Sequence, residues 1–180
     1  MTVAGDRRDK VGQPAADDEP GSKLPGWKIE SLDYPTFRLT LLAKIMDRLT
    51  IRLLAERGDI SYAEWRAMAR LAIMPKGGTV GQIADLAWVD KAEVSRAVGA
   101  LESRGFVERQ PNPKDRRTPL LFLTSDGQAR YDAGIGERRR FHEKLLADFS
   151  SEELDQFDTL LERVGAQLMQ MAEIPQSPSD

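Results

Sequence analysis

Apolar residues recur at helical spacing over most of this chain. Leu39, Leu42, Met46, Leu49 and Leu53 predict a long first helix, with Pro35 suited to its first turn and Gly58 to its stop. Ser61 stands three residues before Glu64, the capping-box spacing, and "YAEWRAMARLAIM" is predicted as a second helix ended by Pro75. The "KGG" that follows is a turn. Thr79 opens a short third helix through Ile83, Ala84, Leu86 and Ala87. Asp90 can cap a fourth, in which Val94, Val98 and Leu101 make one apolar stripe that ends at Gly105.

The period then changes. Residues 106–110 and 120–124 are predicted as two strands, too far apart for a two-residue turn but suited to a long hairpin, with Pro119 at a strand start where a missing N–H costs little. Thr124 or Ser125 can cap a further long helix to about residue 149, and "SSEEL" starts the last. Along that last helix Leu154, Phe157, Leu161, Val164, Leu168 and Met171 alternate by three and four, a full heptad stripe that wants a partner helix. Residues 1–29 read as a flexible tail, because the stretch to about residue 26 holds almost no large apolar side chains.

Composition narrows the chemistry. At 180 residues, with 41% hydrophobic and 31% charged, the chain suits one globular domain or two small ones sharing a core. There is no cysteine, which excludes disulfides, thiolate zinc sites and cysteine nucleophiles. The one histidine, His142, sits in "RRRFHEKLL" on a charged helix and reads as a surface residue; Arg138, Arg139 and Arg140 read as a solvated face. "SDG" lies between a strand and a helix and is a cap, and "PKGG" is too short for a phosphate loop. No acid–base pair or metal constellation stands out, so no catalytic residue, metal or cofactor is expected and the chain reads as a non-enzyme. No apolar run approaches a membrane span and "MTVAGDRRDK" lacks a signal peptide's apolar segment, so the expected location is the cytoplasm.

The net charge of −3 argues mildly against a polyanionic partner, but a polyanion feels the local field. Between Arg104 and Arg117 there are five basic residues (Arg104, Arg109, Lys114, Arg116, Arg117) against two acidic ones (Glu108, Asp115), a local balance of +3. Two short helices followed by a hairpin with a basic loop form a winged helix-turn-helix. One helix enters the major groove, and the loop reaches the phosphate backbone or the adjacent minor groove.

The segment "TVGQIADLAWVDKAEVSRAVGALESRGFVERQPNPKDRRTPLLFLTSDG" resembles the DNA-binding core of the MarR family of bacterial transcriptional regulators, through "DKAEVSRAV", "LESRGFVER", the wing "DRR" and the following "LTSDG". The helix order extends the resemblance over roughly residues 30–175. It implies a mainly α fold: a winged domain at 60–125, a connecting helix at 126–147, and a dimerisation region from 30–58 and 148–174. It further implies a homodimer on a pseudo-palindromic double-stranded operator, acting most simply as a repressor, often released by a small aromatic effector.

Residue roles follow with it. The open side of the recognition helix presents Lys91, Ala92, Glu93, Ser95 and Arg96; Arg96 suits guanine or phosphate, and Ser95 a base or phosphate. By resemblance Arg117 reaches into the minor groove and Asp115 orients it, with Lys114 and Arg116 on the backbone. The family often carries Ser or Thr at the positions of Ala92 and Glu93, so the base-reading set differs here; Glu93 either accepts from a cytosine amine or repels phosphate. Glycine is common in the family at Trp88. Gly99 inside the helix costs about 1 kcal/mol relative to alanine. Tyr62, Trp65, Met68 and Trp88 are the candidate effector pocket, against the blander reading that such aromatic spacing is core. The alternative to a regulator is a winged protein-interaction module that pairs with another protein through the heptad helix.

Overall fold

The chain divides into two compact units, Met1–Tyr62 and Ala63–Asp180. The computed structural model describes residues 24–58 and 60–172, so most of the expected tail lies outside the described residues. In the first unit, Pro35 sets the start of α1 (Pro35–Arg57): its φ is already helical and its missing N–H needs no partner in a first turn. Gly58, at φ +70°, ends the helix in the left-handed conformation, and its N–H donates to the Leu54 carbonyl at 3.0 Å. The buried positions of α1 are Thr50 and Leu54, one residue on from Leu49 and Leu53, which stay exposed. Thr50 tolerates burial because its hydroxyl donates to the Met46 carbonyl at 2.8 Å.

The second unit holds nearly all of α2 (Tyr62–Leu71), then α3 (Val80–Ala87), α4 (Lys91–Ser103), β1 (Val107–Gln110), β2 (Leu120–Leu123), α5 (Ser125–Leu145) and α6 (Ser151–Met171). Its apolar core gathers one face each from α2, α3, α4 and the two strands. Met68, Ile83, Val98, Leu101 and Leu121 have no exposed surface. The strands pair antiparallel in the register Val107↔Leu123 to Gln110↔Leu120, within a residue of the expected bounds. Among the described residues no helix is long and apolar enough to cross a membrane.

Two helix ends and one capping bond differ from expectation. α2 stops at Leu71, four residues before Pro75, and the chain leaves it through tightened turns such as Met74 N–H to Leu71 carbonyl at 2.9 Å. Proline disfavours the helical conformation for the residue before it, so the helix unwinds early. α5 stops at Leu145 rather than near residue 149, because Ser150 must be extended (φ −70°, ψ 160°) to cap α6 and the chain turns to reach it. Asp90 takes the N-cap position of α4, but its side chain makes no capping bond; its carbonyl accepts from Glu93 and Val94 N–H groups at 3.0 and 3.2 Å. Full capping boxes form at Thr79 with Gln82 and at Ser150 with Glu153.

The "KGG" segment does more than turn. Gly78 exchanges two backbone hydrogen bonds with Leu121, at 3.0 and 2.9 Å, and so adds a bridge to the hairpin's second strand. Trp65 stacks on Tyr131 of α5 with ring centroids 5.7 Å apart, and Gly134 makes room, since a Cβ there would sit 2.3 Å from the indole.

Two glycines of this unit should respond to alanine with opposite signs. A Cβ at Gly127 would lie 2.0 Å from the Phe106 carbonyl oxygen, whereas one at Gly99 meets nothing within 4 Å. Gly127→Ala should cost about 1–3 kcal/mol by overpacking against backbone. Gly99→Ala should add about 0.5–1 kcal/mol by restricting the unfolded chain and favouring helix. Thermal melts followed by circular dichroism would check both; equal melting temperatures for the two variants would contradict the packing described.

Candidate nucleic-acid interface

The inner face of α4 is closed. Val94, Ala97, Val98 and Leu101 are buried, which turns Lys91, Ala92, Ser95 and Arg96 outward to solvent. The helix ends with a left-handed Gly105 at φ +75°, whose N–H donates to Glu102, while Phe106 N–H donates back to Leu101 at 2.9 Å. That stop drops the chain directly into β1. Thr124 then closes the joint: its hydroxyl donates to the Gly105 carbonyl at 2.6 Å and accepts from Gly127 N–H at 3.0 Å, so one side chain links the end of α4 to the start of α5. Of the two cap candidates, Thr124 is the one used.

Glu93 differs from the other outward candidates. It is half-buried and its carboxylate is engaged by Arg66 of α2 in an ion pair. The charge is therefore committed to holding the first turn of α4 to α2. Sequence spacing could not reveal this pair, because its members lie 27 residues apart.

The basic cluster also resolves into two classes. Arg109 pairs with Glu102 at 2.8 Å, and Arg104 lies 3.6 Å from the nearly buried carboxylate of Glu64. Both serve the frame of the unit. Lys114, Arg116 and Arg117 are exposed at the wing tip, Arg117 with 96% of its side chain open to solvent.

Asp115 organises that tip. One carboxylate oxygen accepts from Arg117 N–H at 3.0 Å and the other from the Thr118 hydroxyl at 2.7 Å, while the Arg117 guanidinium stands 3.7 Å away. The strongest ties are thus to the loop's hydroxyl and backbone rather than to the arginine's charge. The Thr118 hydroxyl, then the Arg117 N–H, hold the carboxyl below its ordinary value of 3.8. Thr118 was missed in the sequence, although Asp followed three residues later by Thr is a local turn signal.

Trp88 closes α3 in an unusual way. It has φ 56° and ψ 44°, the one positive-φ residue other than glycine among the described residues. Val89 N–H reaches back to Ala84 at 3.2 Å, the bond that such a left-handed stop makes. An ordinary side chain in this conformation costs roughly 1–2 kcal/mol.

The four residues considered for an effector pocket have different settings. Met68 is wholly buried, Trp65 is nearly so, and Trp88 is 69% exposed. The Tyr62 hydroxyl donates to Asp47 within the first unit. On α6 no residue is buried: Leu154 and Val164 are half-buried, and Phe157, Leu161, Leu168 and Met171 are exposed.

A model of the MarR family matches residues 58–118. The chain is 40% identical over 65 residues to an uncharacterized HTH-type transcriptional regulator, YdgJ, of Bacillus subtilis, a match covering 36% of this chain but only 40% of that relative's length. It is 27% identical over 123 residues to the transcriptional regulator HosA of Escherichia coli, covering 68% of this chain and 90% of HosA. A crystal structure of an E. coli MarR mutant complexed with operator DNA is similar with TM-score 0.63 and 27% identity, over 73% of this chain and 94% of that one.

The Asp115 turn carries a pH dependence of definite sign. A carboxyl whose folded value is lowered contributes order that is fully present above its ordinary value of 3.8 and is lost as the pH falls through the lower folded value. Amide protection at Arg117 and Thr118, taken relative to the intrinsic exchange rate at each pH, should fall as the pH is lowered through that range, and Asp115→Ala should lack that protection at every pH. A pH-independent pattern shared by wild type and variant would contradict the role given to Asp115.

Proposed function

We propose that this chain, a member of the MarR family by its winged domain, is a homodimeric regulator that binds a pseudo-palindromic operator and represses transcription by occupying it. The observation that carries this reading is the pairing, in one unit, of an outward cationic flank on α4 with a solvent-held basic wing. Lys91, Ser95 and Arg96 meet base edges and phosphates in the major groove, and Arg117 extends from the Asp115 turn into the minor groove, flanked by Lys114 and Arg116. The operator complex of the similar E. coli MarR mutant supports the nucleic-acid partner. Glu93 acts on recognition through the position of α4, since Arg66 holds its carboxylate.

The exposed heptad face of α6 supports self-association, with Phe157, Leu161, Leu168 and Met171 covered by a second copy. Two-fold symmetry then sets half-sites about one helical turn apart. The reading includes release by a small effector, which acts only through its differential affinity for two dimer conformations that space the α4 helices differently. Met68 contributes no open wall to such a site, because it is wholly buried.

The wing assignment predicts a specific salt effect. Arg117→Ala should weaken binding to every duplex and lower the slope of log affinity against log salt by about 1, the release of one phosphate's counterions. Binding titrations at several salt concentrations would read it. An unchanged slope would contradict a wing–phosphate contact.

A further inference from the structure

We propose that Trp88 is a DNA-contacting residue, its indole packing against deoxyribose and base edges at the mouth of the major groove beside Lys91 and Arg96. The inference rests on the operator-binding reading and adds a contact to it.

Two independent observations point the same way. Trp88 holds a left-handed backbone that disfavours any side chain with a Cβ, and the helix stop it makes would form more readily with Gly or Asn. A ring kept there to fill the core would be buried, yet 69% of Trp88 faces solvent. Backbone strain and the exposure of a large apolar surface therefore coincide on one residue: the left-handed backbone stops α3, but neither that stop nor the core calls for an indole.

Its place specifies the partner. Trp88 lies on the turn that delivers α4, two residues before the N-cap Asp90 and three before Lys91. The residues that follow it, 89–93, line an open concavity together with Asp85 and Arg96. Asp85 and Asp90, three residues before and two after Trp88, are both exposed, and their charge disfavours phosphate in this segment. An exposed indole on a turn that carries two acidic residues suits the less charged part of a duplex, its sugars and base edges, by apolar and stacking contact.

Such a contact releases no counterion, and this separates it from the basic contacts. In the full-length protein, Trp88→Asn and Trp88→Gly should each weaken binding about tenfold to a duplex that the wild type selects from a random pool. The salt slope should stay at the wild-type value and the melting temperature should be equal or higher. Wild-type affinity in both variants would overturn the proposal while leaving operator binding intact. A lowered salt slope, or a lost affinity accompanied by a lower melting temperature, would also overturn it, the first by making the contact ionic and the second by making the ring a structural support. If the wild type selects no duplex at all, the operator reading falls and this contact with it.

Discussion

The rotation of α4 about its own axis is the constraint on which the interface depends. Val98 and Leu101 are fully buried, and Val94 and Ala97 nearly so. Burying one aliphatic side chain of this size stabilises by about 1.5–3 kcal/mol. A partly exposed ion pair such as Arg66–Glu93 contributes about 0–1 kcal/mol. The apolar stripe therefore sets which side chains face outward, and the ion pair trims the first turn. Once the stripe is seated, Lys91, Ser95 and Arg96 have no other direction to point.

The wing is positioned by the same economy of joints. Gly105 ends α4 in a conformation that returns the chain as a strand, and Thr124 links the far end of the hairpin to that stop. Gly78 adds a bridge from the other side at Leu121. Helix and hairpin thus belong to one body, so a basic tip held by Asp115 has a defined offset from the outward face of α4. Two contact points held at a fixed offset can match the shape of a duplex as well as its charge, which a floppy basic loop could not.

Much of this was legible in the chain. Pro35 and Gly58 bracket α1, "SSEE" starts α6, and the spacing of Val94, Val98 and Leu101 identifies the buried face of α4, because capping and period are local properties. Helix ends set by what comes next were less legible: α2 yields early to Pro75, and α5 yields to the cap at Ser150. Pairings distant in sequence were not legible at all. Glu93 reads as an open base-reading candidate until Arg66 is placed beside it, and Arg104 and Arg109 read as wing charge until Glu64 and Glu102 claim them. Trp88 was visible as an oddity in the turn, but only its backbone angles and exposure give that oddity a physical meaning.

On the proposed reading, two copies of this chain bind a duplex sequence-specifically. A fluorescence-anisotropy titration against the DNA upstream of its own coding region, beside a scrambled duplex of equal length, tests it most directly. Tight binding to the native duplex with two chains per site is expected, with weaker, strongly salt-dependent binding to the scrambled one. Equal and weak binding to both, with no defined stoichiometry, would contradict it.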